Sequence, residues 1–164
     1  MKIKSFLMAA LLFNLMLVGC RSVPMASLAQ DGQAKQFAIN PKAAQVYIYR
    51  NEFMGNQLKI DVFVNGEMRG QTMGDTYMLM TLPKGKHTIM SEAENKSTLD
   101  IEVENGKNYF VWQEVKMGMW IARNKLQIVD EATGKSGMRE CKLIQDLKTG
   151  NSLAAAANSE GLKP

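Results

Sequence analysis

Three patterns of apolar and polar residues follow one another along the chain. Residues 6–18 are apolar except for Asn14, and residues 21–40 mix Ala, Ser, Gln and Gly with no sustained period. From Pro41 onward the pattern alternates. A period of two sends successive side chains to opposite faces of a strand. It predicts strands over 45–50, 58–64, 67–73, 76–82, 87–92, 98–104, 109–115 and 126–129. The segment 98–104 is the cleanest of these, with Leu99, Ile101 and Val103 on one face and Asp100, Glu102 and Glu104 on the other. That is the signature of an antiparallel strand with one wet face. The segment 109–115 is apolar on both faces and reads as a central, covered strand.

Turn signals separate these runs. Asn65-Gly66 and Asn105-Gly106 are each followed by a further strand pattern, and both read as hairpins because a type I′ turn needs positive φ at two residues. Gly74-Asp75 and Pro83-Lys84-Gly85-Lys86 punctuate the rest. Short strands at this spacing, with no strand–helix alternation, predict an all-β antiparallel β-sandwich over residues 41–148. After Gly137 the period changes. Met138, Cys141, Ile144 and Leu147 recur every three residues, which predicts a short C-terminal helix, and 149–164 reads as a small, polar tail.

The apolar run at the start is too short for a membrane span, which needs about 20 residues. With Lys2 and Lys4 before it, it has the layout of a secretory signal peptide over residues 1–19. It closes on Leu17-Val18-Gly19-Cys20, which resembles the lipobox of bacterial lipoproteins. The resemblance implies cleavage between Gly19 and Cys20 and acylation of Cys20. It also implies an envelope location, and Arg21 rather than Asp after the cysteine points to the outer membrane, facing the periplasm. Two or more acyl chains hold a protein on a bilayer without a spanning helix. Residues 20–40 then read as the lipidated cysteine and a flexible tether, about 25 Å in root-mean-square length.

Composition adds exclusions. Setting residues 1–19 aside leaves 145 residues and lowers the net charge from +4 to +2. The remaining charges are interspersed, so the single-signed stripe of a nucleic-acid binder is absent. Lipidation of Cys20 leaves Cys141 alone, which predicts no intramolecular disulfide and a buried, inert thiol.

Candidate chemistry is sparse. His87 is the only histidine, and no metalloprotease, paired-cysteine or nucleophile-elbow motif accompanies it. A packing role near a strand edge is expected for it, with no catalytic residue, no metal and no cofactor assigned. Asp61, Asp75, Asp100 and Glu102 fall in turns or on outward strand faces. Met117-Gly118-Met119-Trp120, beside Lys116 and Arg123, makes an apolar tip that could touch a membrane or partner. The alternative is a loop folded over one end of the sandwich. Tyr47, Tyr49, Tyr77, Tyr109 and Trp112 offer some of the rings that a sugar platform would use.

Val62-Phe63-Val64-Asn65-Gly66, Gly70 and Leu82-Pro83-Lys84-Gly85-Lys86-His87-Thr88-Ile89 resemble the pattern of PEGA-type extracytoplasmic modules. With Val46-Tyr47-Ile48-Tyr49-Arg50 and Thr76-Tyr77, the stretch 41–130 is similar to a bacterial lipoprotein domain of unknown function, itself PEGA-like. The resemblance implies an immunoglobulin-like or PEGA-like sandwich and no reaction. The expected function is that of a non-enzymatic envelope lipoprotein, attached to the membrane by its lipid and docking an envelope protein or a cell-wall component. A glycan- or peptidoglycan-binding module is the alternative.

Overall fold

The computed structural model describes residues 23–52, 55–117 and 122–148. In chain order these form helix α1 (Leu28–Ala34), then strands β1 (Ala44–Arg50), β2 (Ile60–Val64), β3 (Glu67–Thr72), β4 (Thr76–Leu82), β5 (Gly85–Glu92), β6 (Lys96–Val103), β7 (Asn108–Met117) and β8 (Ala122–Val129). Helix α2 (Glu131–Met138) and the short strand β9 (Lys142–Leu143) complete the described chain. One sheet has the order β8-β7-β1-β4-β9 and the other β3-β2-β5-β6. The fold is a β-sandwich.

The alternating pattern explains the inner core. Val46 and Ile48 of β1, Met78 and Met80 of β4, Val62 and Val64 of β2, and Ile101 and Val103 of β6 meet between the sheets. At 0% exposure, Val46, Ile48, Val62, Met78 and Met80 each remove a whole side chain from water, about 1.5–3 kcal/mol apiece.

The opposite face of the five-stranded sheet is buried too. Tyr47 and Tyr49 of β1, Tyr77 of β4 and Phe110 of β7 form a second cluster with Ala34 of α1, with Met138 at the end of α2 and with Cys141 beyond it. Tyr47 and Phe110 stack at 5.2 Å between ring centroids, and Phe37 tilts against both. Hence β1 reads as apolar on both faces: aliphatics fill the inner core and tyrosines fill the layer beneath the helices.

Several expectations are corrected. The sheets are not wholly antiparallel, since β1 pairs with β7 and β4 with β9 in parallel. Asn65 (φ 53°) and Gly66 (φ 80°) make the expected hairpin turn between β2 and β3. At Asn105-Gly106 only the glycine has positive φ (74°), so no type I′ turn forms. There the chain crosses from β6 in one sheet to β7 in the other. Strand β8 begins four residues earlier than expected, because Arg123 and Lys125 point outward while Asn124 and Leu126 are buried.

Helix α2 starts at Glu131 and contains Gly137 rather than following it. The Asp130 side chain caps α2 by accepting from the Thr133 N–H at 2.9 Å. The period-three residues belong to different places: Met138 and Cys141 lie under the helices, and Ile144 enters the inner core.

The expected spacer is also corrected where residues 23–40 are described. Val23 is a core residue at 2% exposure, and α1 packs on the tyrosine face. The segment is stapled to the other end of the described chain. Met25 bridges Ile144, the Ala26 N–H donates to the Leu143 carbonyl, and the Gln145 N–H donates to the Pro24 carbonyl.

Candidate functional site

The local chemistry of α1 builds one wall of a groove. Ser27 accepts from the Gln30 N–H, and the Gln30 side chain accepts from the Ser27 N–H, a capping box that starts the helix. One turn on, Asp31 fixes the helix to the sheet. Its carboxylate accepts from the Tyr77 hydroxyl at 2.8 Å, the Leu143 N–H at 2.9 Å and the Lys35 ammonium at 3.0 Å. Burial pushes the Asp31 pKa up, but these hydrogen bonds outweigh it and the net shift is downward. Burial pushes the Tyr47 hydroxyl up to about 12, so it stays a neutral donor to Gln45 Oε1 at 3.0 Å.

Between α1, the outer face of β1 and β4, and the segment after β9 lies an open groove of about 310 Å³. Gln30 and Gln33 line it from the helix, Gln45, Leu79 and Thr81 from the sheet, and Gln145 from the C-terminal side. The lining is neutral and amide-rich. Asp146 also lines it, but its carboxylate is engaged by both the Nε and terminal nitrogens of Arg69, with both side chains 6% exposed.

Among the described residues the groove floor is an unfinished sheet edge. Strand β9 covers only Thr76 and Tyr77 of β4. The Ile144 N–H donates to the Tyr77 carbonyl, so Tyr77 aims its backbone groups away from β1. By alternation Leu79 and Thr81 do the same. Thr81 is exposed and Leu79 half-buried.

The residues singled out from sequence lie elsewhere. Gly19, Cys20, Met119 and Trp120 fall outside the described residues. Met117 ends β7 and pairs with Ala122, so its backbone belongs to the β7–β8 hairpin rather than to a loop.

His87 lies in β5, between β2 and β6 and not on an edge strand. Its ring is 8% exposed. Nε2 donates to the Pro83 carbonyl at 2.8 Å, and Nδ1 accepts from the Asn65 amide at 3.0 Å. Both nitrogens are thus occupied, and neither meets a carboxylate or hydroxyl. Asn65 in turn accepts from the Thr88 N–H, pinning the β2–β3 turn to β5. Asp61 pairs with Gln71 and Asp100 with Thr88. Among the described residues no three His, Cys, Asp or Glu side chains group as metal ligands would.

Tyr47 and Tyr77 are fully buried and Tyr49 nearly so, which removes them as an open aromatic platform. Cys141 is buried, and burial pushes its thiol up to about 12, as expected for an inert cysteine. A buried charge was not foreseen. Arg50 is fully enclosed and donates to the carbonyls of Leu58 (2.6 Å) and Gly55, clasping the 51–59 connection. The groove was not foreseen either. Its one local signal was the Ser27–Gln30 capping box, three residues apart within the expected spacer.

Comparison with known proteins places the chain among relatives whose role is open. A 131-residue stretch is 36% identical to an "Uncharacterized protein" of Haemophilus influenzae, covering 79% of this chain and 78% of that one. No solved structure matches. Residues 40–125, which hold β1 to β7 and the start of β8, match the family described as "Protein of unknown function (DUF2846)". The chain belongs to the DUF2846 family.

Proposed function

We propose that this is a lipid-anchored envelope protein, non-enzymatic, held by an acylated Cys20 on the periplasmic face of the outer membrane and acting by binding. The leader 1–19 with its Leu17-Val18-Gly19-Cys20 ending supports the anchor. The likeness of 62–66 and 82–89 to PEGA-type modules fits an extracytoplasmic role. The observation that carries the reading is the join between anchor and domain. Only Arg21 and Ser22 separate Cys20 from Val23, which is 2% exposed. Three residue steps reach about 11 Å at full extension, so an anchored Cys20 holds the folded domain against the bilayer. The groove beside α1 then opens within reach of the surface, where envelope partners would be met.

The test is Cys20→Ala. The variant is expected to stay unprocessed and unlipidated, while the parent chain is released from membranes only by detergent. Equal membrane partition of both in processed form would refute the anchor.

A glycan-binding module is the second reading, favoured by a shallow open depression where Trp112 lies beside Tyr49, Asn51 and Ser136. Titration with peptidoglycan fragments that leaves Trp emission unchanged would remove it.

A further inference from the structure

We infer that the uncovered half of β4 is a strand-addition site, taking an extended polypeptide segment of another protein along Leu79 and Thr81. This deepens the binding reading above and rests on that part of it alone, not on the anchor.

In the β1–β4 pairing, Val46 faces Met80 and Ala44 faces Leu82, while Tyr47 faces Leu79 and Gln45 faces Thr81. The Gln45 N–H donates to the Lys107 carbonyl, on the β7 side, so Gln45 and Tyr47 turn their backbone groups away from β4. Their partners Leu79 and Thr81 therefore turn theirs away from β1. Strand β9 stops at Tyr77, which leaves the N–H and C=O of both Leu79 and Thr81 without a ladder partner among the described residues. Two donors and two acceptors spaced along an extended backbone match another extended backbone. A sugar ring or an acyl chain offers no such repeat.

The same edge already accepts such a strand: β9 pairs with its first half, and Met25 bridges Ile144 on the far side. An incoming segment would prolong the line that β9 begins. Strand addition of this kind takes its affinity from the main chain and its selectivity from pockets for alternate side chains. Here the pocket is the 310 Å³ groove, walled by Gln30 and Gln33 and floored by Leu79. Its neutral amide lining suits small or uncharged polar side chains at every second position of the ligand.

The experiment uses the full chain in detergent and a displayed library of random heptapeptides as probe. Enriched peptides are expected, and synthetic copies should slow amide exchange at Leu79 and Thr81. Thr81→Pro deletes a donor that β1 does not use, and it should weaken binding about tenfold, the order expected for one lost hydrogen bond, while Thr81→Val retains it. Peptide copies N-methylated at the residues facing β4 should show the same loss with the protein unchanged. No enrichment, or binding that leaves both amides exchanging freely, overturns the proposal. So does protection already present without peptide and released by deleting 149–164, which would assign the edge to the chain's own tail. Equal binding by Cys20→Ala keeps this test separate from the fate of the anchor.

Discussion

Gly134 and Gly137 decide how closely α2 can lie on the sheet. A Cβ at Gly134 would stand 2.4 Å from the Phe110 ring, and one at Gly137 the same distance from the Tyr49 ring. In a free helix Gly→Ala is stabilising by about 1 kcal/mol. Against a packed ring, overfilling costs about 1–3 kcal/mol, so the sign of the effect reports whether α2 is docked. Gly134→Ala is expected to lower Tm by several degrees, read by calorimetry. A raised Tm would contradict the packing. At this scale the sequence was legible where chemistry is local. The positive φ of Asn65 and Gly66 follows from their identity. The roles of Gly134 and Gly137 do not, because each depends on a ring brought from a distant strand.

At the scale of elements, strands announced themselves and short helices did not. The alternation in 98–104 needs only one wet face, and β6 has it. The seven residues of α1 are mostly polar or alanine and show no apolar stripe. Their docking comes from Asp31, whose partners Tyr77 and Leu143 lie far along the chain. The pH dependence follows from the direction of its shift. A carboxyl held below its ordinary value of 3.8 stabilises the fold above that pH, and loses this contribution as pH falls through the folded value. Asp31→Asn is therefore expected to lower Tm at pH 6, with the gap to the parent chain closing as pH drops below about 4. A gap that stays constant across this range would show that the Asp31 charge plays no part in holding α1.

At the scale of the molecule, the two ends of the described chain close one side of the sandwich together. Residues 23–26 run against 143–145, and Arg69 of β3 reaches across to Asp146. Gly70 lies beside this crossing, where a Cβ would stand 3.5 Å from the Gln145 carbonyl oxygen. At its φ of 153° a Cβ would press to 3.1 Å from the Met78 side chain. Sequence could give the sandwich but not this closure, because pairings more than a hundred residues apart leave no periodic trace. It is also why a spacer was expected where α1 docks. The closure buries Val23, and the proposed anchor geometry rests on that burial. The most direct test is the intact mass of the chain purified from cell membranes. The account predicts a chain beginning at Cys20 and heavier than its residues by a diacylglycerol and a further acyl group. A chain that begins elsewhere, or an unmodified Cys20, would contradict it.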